Sequence, residues 1–284
     1  MKKFLASLSV VSLLAACQST VPPAEDHSMH SEMSSAGASA AVSDRLSNSP
    51  RHQEWVDVKN GDRTIRTFVV YPETDEKVPA VLVIHENRGL NDWARGMADQ
   101  VAEAGYVAVA PDLLSDFDEA HDDTSDFASD DERTKAIMAL DPAQVQADLQ
   151  AVADWARTIP ATNGKLASAG FCWGGSQSFS LAANDDDLDM ALVFYGTGPT
   201  DASAYARIDA PVYAFYAGND ERVNATVPMS TQAMQSAGKT YDVQTYDGAG
   251  HAFMRSGEDP NGDPANVAAR NAAWERMKRV LETL

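Results

Sequence analysis

Cysteine is almost absent from this chain: there are two in 284 residues, Cys17 and Cys172. A disulfide framework is thereby excluded as the source of stability, and folding must rest on a hydrophobic core. Basic side chains are also scarce, 22 against 42 acidic ones, for a formal charge of −20. That balance repels a phosphate backbone and excludes nucleic acid as a partner. Long apolar runs are missing except for one near the start, Phe4 to Leu14, which is too short to span a bilayer and stop there. No internal repeat marks a solenoid. What is present is 44% hydrophobic content, enough for one α/β domain with a sizeable core.

The basic pair Lys2-Lys3 followed by the apolar run reads as an export signal, and Leu14-Ala15-Ala16-Cys17 resembles the bacterial lipobox. The resemblance implies a signal peptide over residues 1–16, cleavage before Cys17 and a lipid anchor on its sulfur. The domain would then be exported and held at the bacterial cell envelope, with Gln18 favouring the periplasmic side of the outer membrane. With Cys17 acylated, Cys172 is left as the one free thiol. Residues 17–50 are rich in Ser, Ala and Pro without apolar periodicity, as expected of a flexible tether, and the folded domain is expected over 51–284. Within the tether His27, Met29, His30 and Met33 are soft or borderline copper ligands, although a polar tether explains the same letters. A monomer is the expectation.

Two alternating runs flank Asn60-Gly61-Asp62 within residues 54–72, which predicts an antiparallel hairpin at the start of the domain. Short, continuously apolar runs at 80–84 and 106–110 predict strands buried on both faces, and strand-like runs at 165–170, 190–195, 212–217 and 241–246 complete the set. Helical spacing at 91–104, 142–158, 176–183, 225–237 and 267–284 falls between or after them. The alternation predicts a mostly parallel central sheet with helices on both faces, an α/β fold. Residues 116–132 hold nine carboxylates and His121. The oxygens do not follow the spacing of a calcium loop, no metal site is expected, and a solvated, mobile insertion is predicted.

Between a predicted buried strand and a helix stands GFCWGG, residues 170–175. The form GxCxG in that place is a nucleophile elbow: glycines permit a sharp turn and the nucleophile projects above the sheet end. The amide of Trp173 then lies at a helix N-terminus, placed to donate to a developing oxyanion, and the same helix end favours a thiolate on Cys172. A cysteine nucleophile needs a base, and the base needs a carboxylate to fix its tautomer. Asp220 follows one strand in AGNDERV and His251 follows the next in GAGHAF, so all three should meet at one edge of the sheet. Glu221 is the adjacent alternative to Asp220. His85, directly after the strand at 80–84, is positioned to line the pocket; the other histidines lie farther from the predicted sheet end.

HENRGLNDWAR (85–95), GYVAVAPDLL (105–114), NGKLASAGFCWGG (163–175), AGNDERVNA (217–225) and GAGHAFMR (248–255) together resemble the dienelactone hydrolase family, carboxymethylenebutenolidases of α/β-hydrolase fold. The resemblance runs from about residue 54 to the C-terminus. It implies a Cys172-Asp220-His251 triad that needs no cofactor, an oxyanion hole from the amides of Asn87 and Trp173, and contact of Glu86 with the resting thiol. A carboxylate there would oppose ionisation of the thiol, unless it merely caps the following loop. Of two arginines that hold an anionic lactone in the family, Arg255 matches one, while Asp116 stands about where the other belongs; Arg88 and Arg95 offer positive charge from a neighbouring loop. The expected substrate is a small ester or lactone. The same triad would also serve a thioesterase or peptidase, and a non-catalytic surface lipoprotein is a third reading, opposed by the intact triad residues.

Overall fold

The computed structural model describes Met1 and residues 42–284. The export signal, Cys17 and the His27–Met33 stretch lie outside the described residues. Strands form where sequence periodicity places them: β1 (Gln53–Asn60), β2 (Arg63–Val70), β3 (Val78–Ile84), β4 (Val107–Pro111), β5 (Thr162–Phe171), β6 (Met190–Phe194), β7 (Val212–Ala217) and β8 (Tyr241–Tyr246). They make one sheet in the order β1-β2-β4-β3-β5-β6-β7-β8. The β1–β2 hairpin and the β2–β4 pair are antiparallel, and every pairing from β4 to β8 is parallel.

The helices are α1 (42–47), α2 (Asp92–Glu103), α3 (Asp130–Ala139), α4 (Pro142–Thr158), α5 (Trp173–Leu181), α6 (Ala204–Arg207), α7 (Glu221–Asn224), α8 (Val227–Ser236), α9 (Phe253–Ser256) and α10 (Pro264–Leu281). Sheet alternation divides the core in two. Leu82 and Ile84 of β3 join Leu149 and Val152 of α4 and Phe179 of α5 on one face. Val81 and Val83 join Met97 and Val101 of α2 and Met277 of α10 on the other. Each such side chain contributes about 1.5–3 kcal/mol on burial, so a parallel strand buried on both faces is anchored twice. The helix starts are marked locally: Asn91 accepts from the Ala94 amide, and Asp141 and Asp263 cap α4 and α10 just before Pro142 and Pro264. Among the described residues no helix is long and apolar enough to cross a membrane.

Three expectations need correction. The domain does not begin at residue 51, because the segment before it is docked. Val42 is buried, Ser43 Oγ donates to Asp92, and Ser49 Oγ donates to Asp99 at 2.6 Å. Arg51 pairs with the same carboxylate at 2.7 Å. The acidic segment is not a mobile insertion. The buried Asp112 accepts from the amide and hydroxyl of Thr124 at 2.8 and 2.7 Å, the His121 ring stacks on Phe127, and α3 starts inside the segment with Ser129 as its cap. Its carboxylates face outward from a fixed frame, and composition alone hides that frame. Finally, the helix placed at 176–183 starts at Trp173, immediately after the cysteine.

Candidate active site

The elbow forms because its glycines let backbone press on backbone. A Cβ on Gly170 would lie 1.9 Å from the Gly174 carbonyl oxygen, and one on Gly174 would lie 2.3 Å from that of His85. No side chain fits, so β5 and α5 meet at the tight angle that only glycine permits. Cys172 itself takes φ 57° and ψ −116°, a conformation costly for a non-glycine residue and held by the Cys172 amide donating to the Phe194 carbonyl at 3.0 Å. Strain of this kind raises the sulfur above the sheet end.

The loops after β7 and β8 bring the other two residues to it. Asp220 follows β7 as the cap of α7, with the Val223 amide donating to its Oδ1 at 3.3 Å. Its Oδ2 lies 2.5 Å from Nδ1 of His251, and Nε2 of His251 lies 3.0 Å from Cys172 Sγ. A carboxylate can only accept, so the imidazole proton sits on Nδ1 and the Nε2 lone pair faces the thiol. The three residues expected from the sequence are therefore hydrogen-bonded in the order a proton relay requires, and Glu221 is not the partner.

Burial, and after it the charge of Glu86, push the Cys172 thiol up to about 11. The Trp173 amide, Arg222 and Arg255 pull in the other direction without reversing this. At neutral pH the thiol is thus protonated, and ionisation depends on His251 taking the proton.

Glu86 is held by two side chains. Among the described residues its hydrogen bonds go to Arg255, whose Nε donates to Oε2 at 2.8 Å, and to Tyr195, whose hydroxyl donates to Oε1 at 3.3 Å. It acts on the thiol through its charge, while His251 holds the sulfur. Arg255 is correspondingly not a free cation. Burial lowers its pKa, but the neighbouring Glu86 carboxylate more than offsets this and the net shift is upward. Tyr195 was not foreseen. It is buried with φ 40° at the end of β6, packs edge-on to the His251 ring at 5.1 Å, and its phenol is pushed well above the usual range by burial. A tyrosine directly before the glycine that ends an apolar strand is the sequence signal that could have revealed it.

The two segments expected to supply oxyanion donors are locked together. Asn87 lies half-buried in the turn after β3, two residues beyond His85. His85 is fully buried and lines no open pocket. Its Nδ1–H donates to the Glu86 carbonyl at 2.7 Å, its Nε2 accepts from the Leu113 amide at 3.2 Å, and its ring stacks on that of Trp173 at 5.7 Å. Burial lowers its pKa and keeps it neutral, as this donor-acceptor pattern requires.

The two other arginines expected near the site are engaged. Arg88 pairs with Asp130 at 2.9 Å and Arg95 with Asp92. The Asp116 side chain accepts from the Thr64 amide at 2.8 Å, beside the β1–β2 turn. No three His, Cys, Asp or Glu side chains converge into a metal site among the described residues.

Known proteins show the same frame. Residues 65–284 match the model of the dienelactone hydrolase family. A protein of Saccharolobus solfataricus named "Putative carboxymethylenebutenolidase" is 30% identical over 246 residues, covering 76% of this chain and 93% of its own. A protein of the same name from Escherichia coli K12 is 31% identical over 219 residues, covering 72% and 77%. In fold, the crystal structure titled "Putative Dienelactone Hydrolase from Klebsiella pneumoniae" superposes with a TM-score of 0.72 at 24% identity, over 82% of this chain and 99% of that one. The matched residues run from within β2 to the end of α10, and contain every element that positions Cys172, Asp220 and His251. The chain belongs to the dienelactone hydrolase family, hydrolases of ester and lactone bonds.

Proposed function

We propose that this chain hydrolyses carboxylic esters or lactones by covalent catalysis from Cys172. The observation that carries the reading is the unbroken relay from Asp220 Oδ2 through His251 to Cys172 Sγ, at 2.5 and 3.0 Å. Sγ attacks the carbonyl carbon as its proton passes to Nε2, and the Asp220 carboxylate stabilises the imidazolium that forms. The carbonyl oxygen becomes an oxyanion between the amides of Asn87 and Trp173, an arrangement worth roughly 10²–10³ in rate per donor. Collapse expels the alkoxide, which takes the proton from Nε2 and leaves a thioester on Cys172. Water, deprotonated by the same nitrogen, cleaves the thioester and restores the thiol. The high thiol pKa makes this general-base route the productive one, since a free thiolate is a minor species at neutral pH.

The test is to quench the enzyme in acid during turnover of an activated aryl ester and to map the added acyl mass. It should sit on the peptide containing Cys172, and Cys172→Ala should lose both the adduct and about 10⁴-fold or more in kcat while remaining folded. Undiminished hydrolysis by the alanine variant would overturn the covalent mechanism. The lipobox-like Leu14–Cys17 stretch supports a second part of the reading, a lipid anchor that holds the domain at the cell envelope. Cys17→Ser should then release the protein from the membrane fraction, and retention in that fraction would remove the anchor.

A further inference from the structure

A groove of about 950 Å³ lies between the docked N-terminal arm, the acidic segment and the loop after His251; Cys172 and His251 do not line it, and it adjoins the site through Arg255, which holds Glu86. Both loops that carry site residues line its inner end. Arg88 and Leu90 follow Asn87 directly, and Arg255 follows His251 by four residues while holding Glu86 beside the sulfur. At the outer end stands Trp55, 39% exposed, packed on Phe68 at 5.2 Å with the Arg66 and Arg95 guanidinium carbons 4.7 and 5.8 Å from its ring centroid. The two guanidiniums and Phe68 hold the part-exposed indole in place, so a ligand in the groove meets a fixed aromatic surface.

The arm completes the wall. Val42 lines the groove, and a Cβ on Gly96 of α2 would lie 2.7 Å from Val42 Cγ1. A glycine inside a helix costs about 1 kcal/mol relative to alanine, and here it makes the space into which the arm packs. Arg45 reaches Glu258 at 3.5 Å on the far side of the groove. The arm is therefore part of the binding surface.

We propose that this groove is a second substrate subsite, which receives the distal end of an extended, uncharged ester and stacks a flat or aromatic group against Trp55. The inference rests on the ester-hydrolase reading and deepens it by naming a substrate class. Two properties argue for it. Drug-sized ligands occupy pockets of roughly 300–1,000 Å³, so a compact lactone would leave most of this groove empty. The arginines that line it are already paired, Arg66 with Asp123 at 3.1 Å, Arg88 and Arg133 sharing Asp130 at 2.9 and 2.8 Å, Arg95 with Asp92 and Arg255 with Glu86, and the seven acidic residues of the lining outnumber its five arginines. A substrate carboxylate entering here would meet paired cations and lose its hydration without a new counter-charge.

The experiment compares three butanoate esters on the full chain: the methyl ester, the 5-phenylpentyl ester and an ester with a carboxylate at the end of the same alkyl spacer. The unmodified enzyme should favour the phenyl ester in kcat/KM and disfavour the carboxylate. Trp55→Ala should lower the ratio of the phenyl to the methyl ester about 10-fold, mainly through KM, as a lost stacking contact would. Ser125→Trp, which fills the groove from an exposed position without removing a packed side chain, should lower the same ratio. Equal kcat/KM for phenyl and methyl esters in the unmodified enzyme, a ratio unmoved by both variants, or a preference for the carboxylate would overturn the subsite. Hydrolysis of the methyl ester by Cys172→Ala would instead overturn the covalent mechanism and is read separately.

Discussion

The ends of β5, β7 and β8, which carry Cys172, Asp220 and His251, and the cover formed over the groove by the N-terminal arm with residues 112–133 are held by different forces. On the strand side, position is set by backbone: a strained φ at Cys172, glycines pressed on carbonyls, and short loops that place Asp220 and His251 at adjacent strand ends. On the cover, position is set by side chains that find one another across the sequence, among them Asp112 with Thr124, Arg51 with Asp99 and Arg66 with Asp123. Backbone-set geometry can hold reacting atoms within tenths of an ångström. Side-chain pairs tolerate substitution and can vary with substrate. The chemistry and the selectivity of the molecule are thus separable, and mutations on the two sides should have different signatures.

The largest effect should come from the strand side. In Asp220→Asn the amide can donate to Nδ1, which would leave the proton on Nε2 facing the thiol. We expect kcat to fall by about 10⁴-fold with folding intact, as for loss of a triad carboxylate generally. A drop below about 10-fold, with circular dichroism unchanged, would mean that Asp220 does not set the tautomer. Next is Gly174→Ala. The added methyl meets backbone oxygens of His85 and Ile84 at 2.3 and 2.4 Å, so the elbow must move away from β3. Overpacking of this kind costs about 1–3 kcal/mol, and displacement of the Trp173 amide should lower kcat by roughly 10²-fold.

Glu86→Gln examines the border between the two sides. The carboxylate raises the thiol pKa, second only to burial, so its removal must lower that pKa from about 11. The rate of iodoacetamide alkylation against pH should show its midpoint shifted to lower pH. No shift, or a shift upward, would show that Glu86 does not act on the sulfur by charge.

Thr124→Val probes the cover alone. It removes the hydroxyl that donates to Asp112 and accepts from the Leu90 amide at 2.9 Å, leaving buried polar groups without partners. We expect a loss of about 1–3 kcal/mol, read as a lower urea midpoint. An unchanged midpoint would make the segment the loose insertion that its composition suggests.

The two sides also differ in how far they can be read from sequence. Strand positions, hairpin and elbow follow from local motifs: GFCWGG is six consecutive residues, and Asp220 and His251 each stand in a short Gly-containing loop after a strand. The Glu86–Arg255 pair spans 169 positions and leaves no local pattern, so Arg255 looks free until the structure shows its partner. Tyr195 is hidden for a related reason, because its hydroxyl finds Glu86 from another strand. Nine carboxylates in 116–132 read as solvated, which is true of most of their oxygens, yet Thr124 and Phe127 beneath them are buried. The arm is missed because the residues before position 51 are polar and short-periodic, while the space for Val42 is recorded elsewhere, at Gly96.

The smallest effect should belong to Asp116→Arg. The family resemblance puts this position about where a second anion-binding arginine would stand, and on that basis the substitution should tighten binding of acidic substrates. The structure points the other way. Asp116 has φ 52°, a conformation that aspartate tolerates better than arginine, and its carboxylate accepts from the Thr64 amide beside the hairpin. An arginine there should destabilise the chain by about 1 kcal/mol and stay out of the groove. A free acid and its methyl ester, assayed on both proteins at low and moderate salt, should keep the same ratio of kcat/KM within about twofold, since an exposed charge beyond roughly 10 Å is screened at 0.1 M salt. A ratio that moves several-fold toward the acid, through KM, would place Asp116 within reach of the substrate and make the cover part of charge selection.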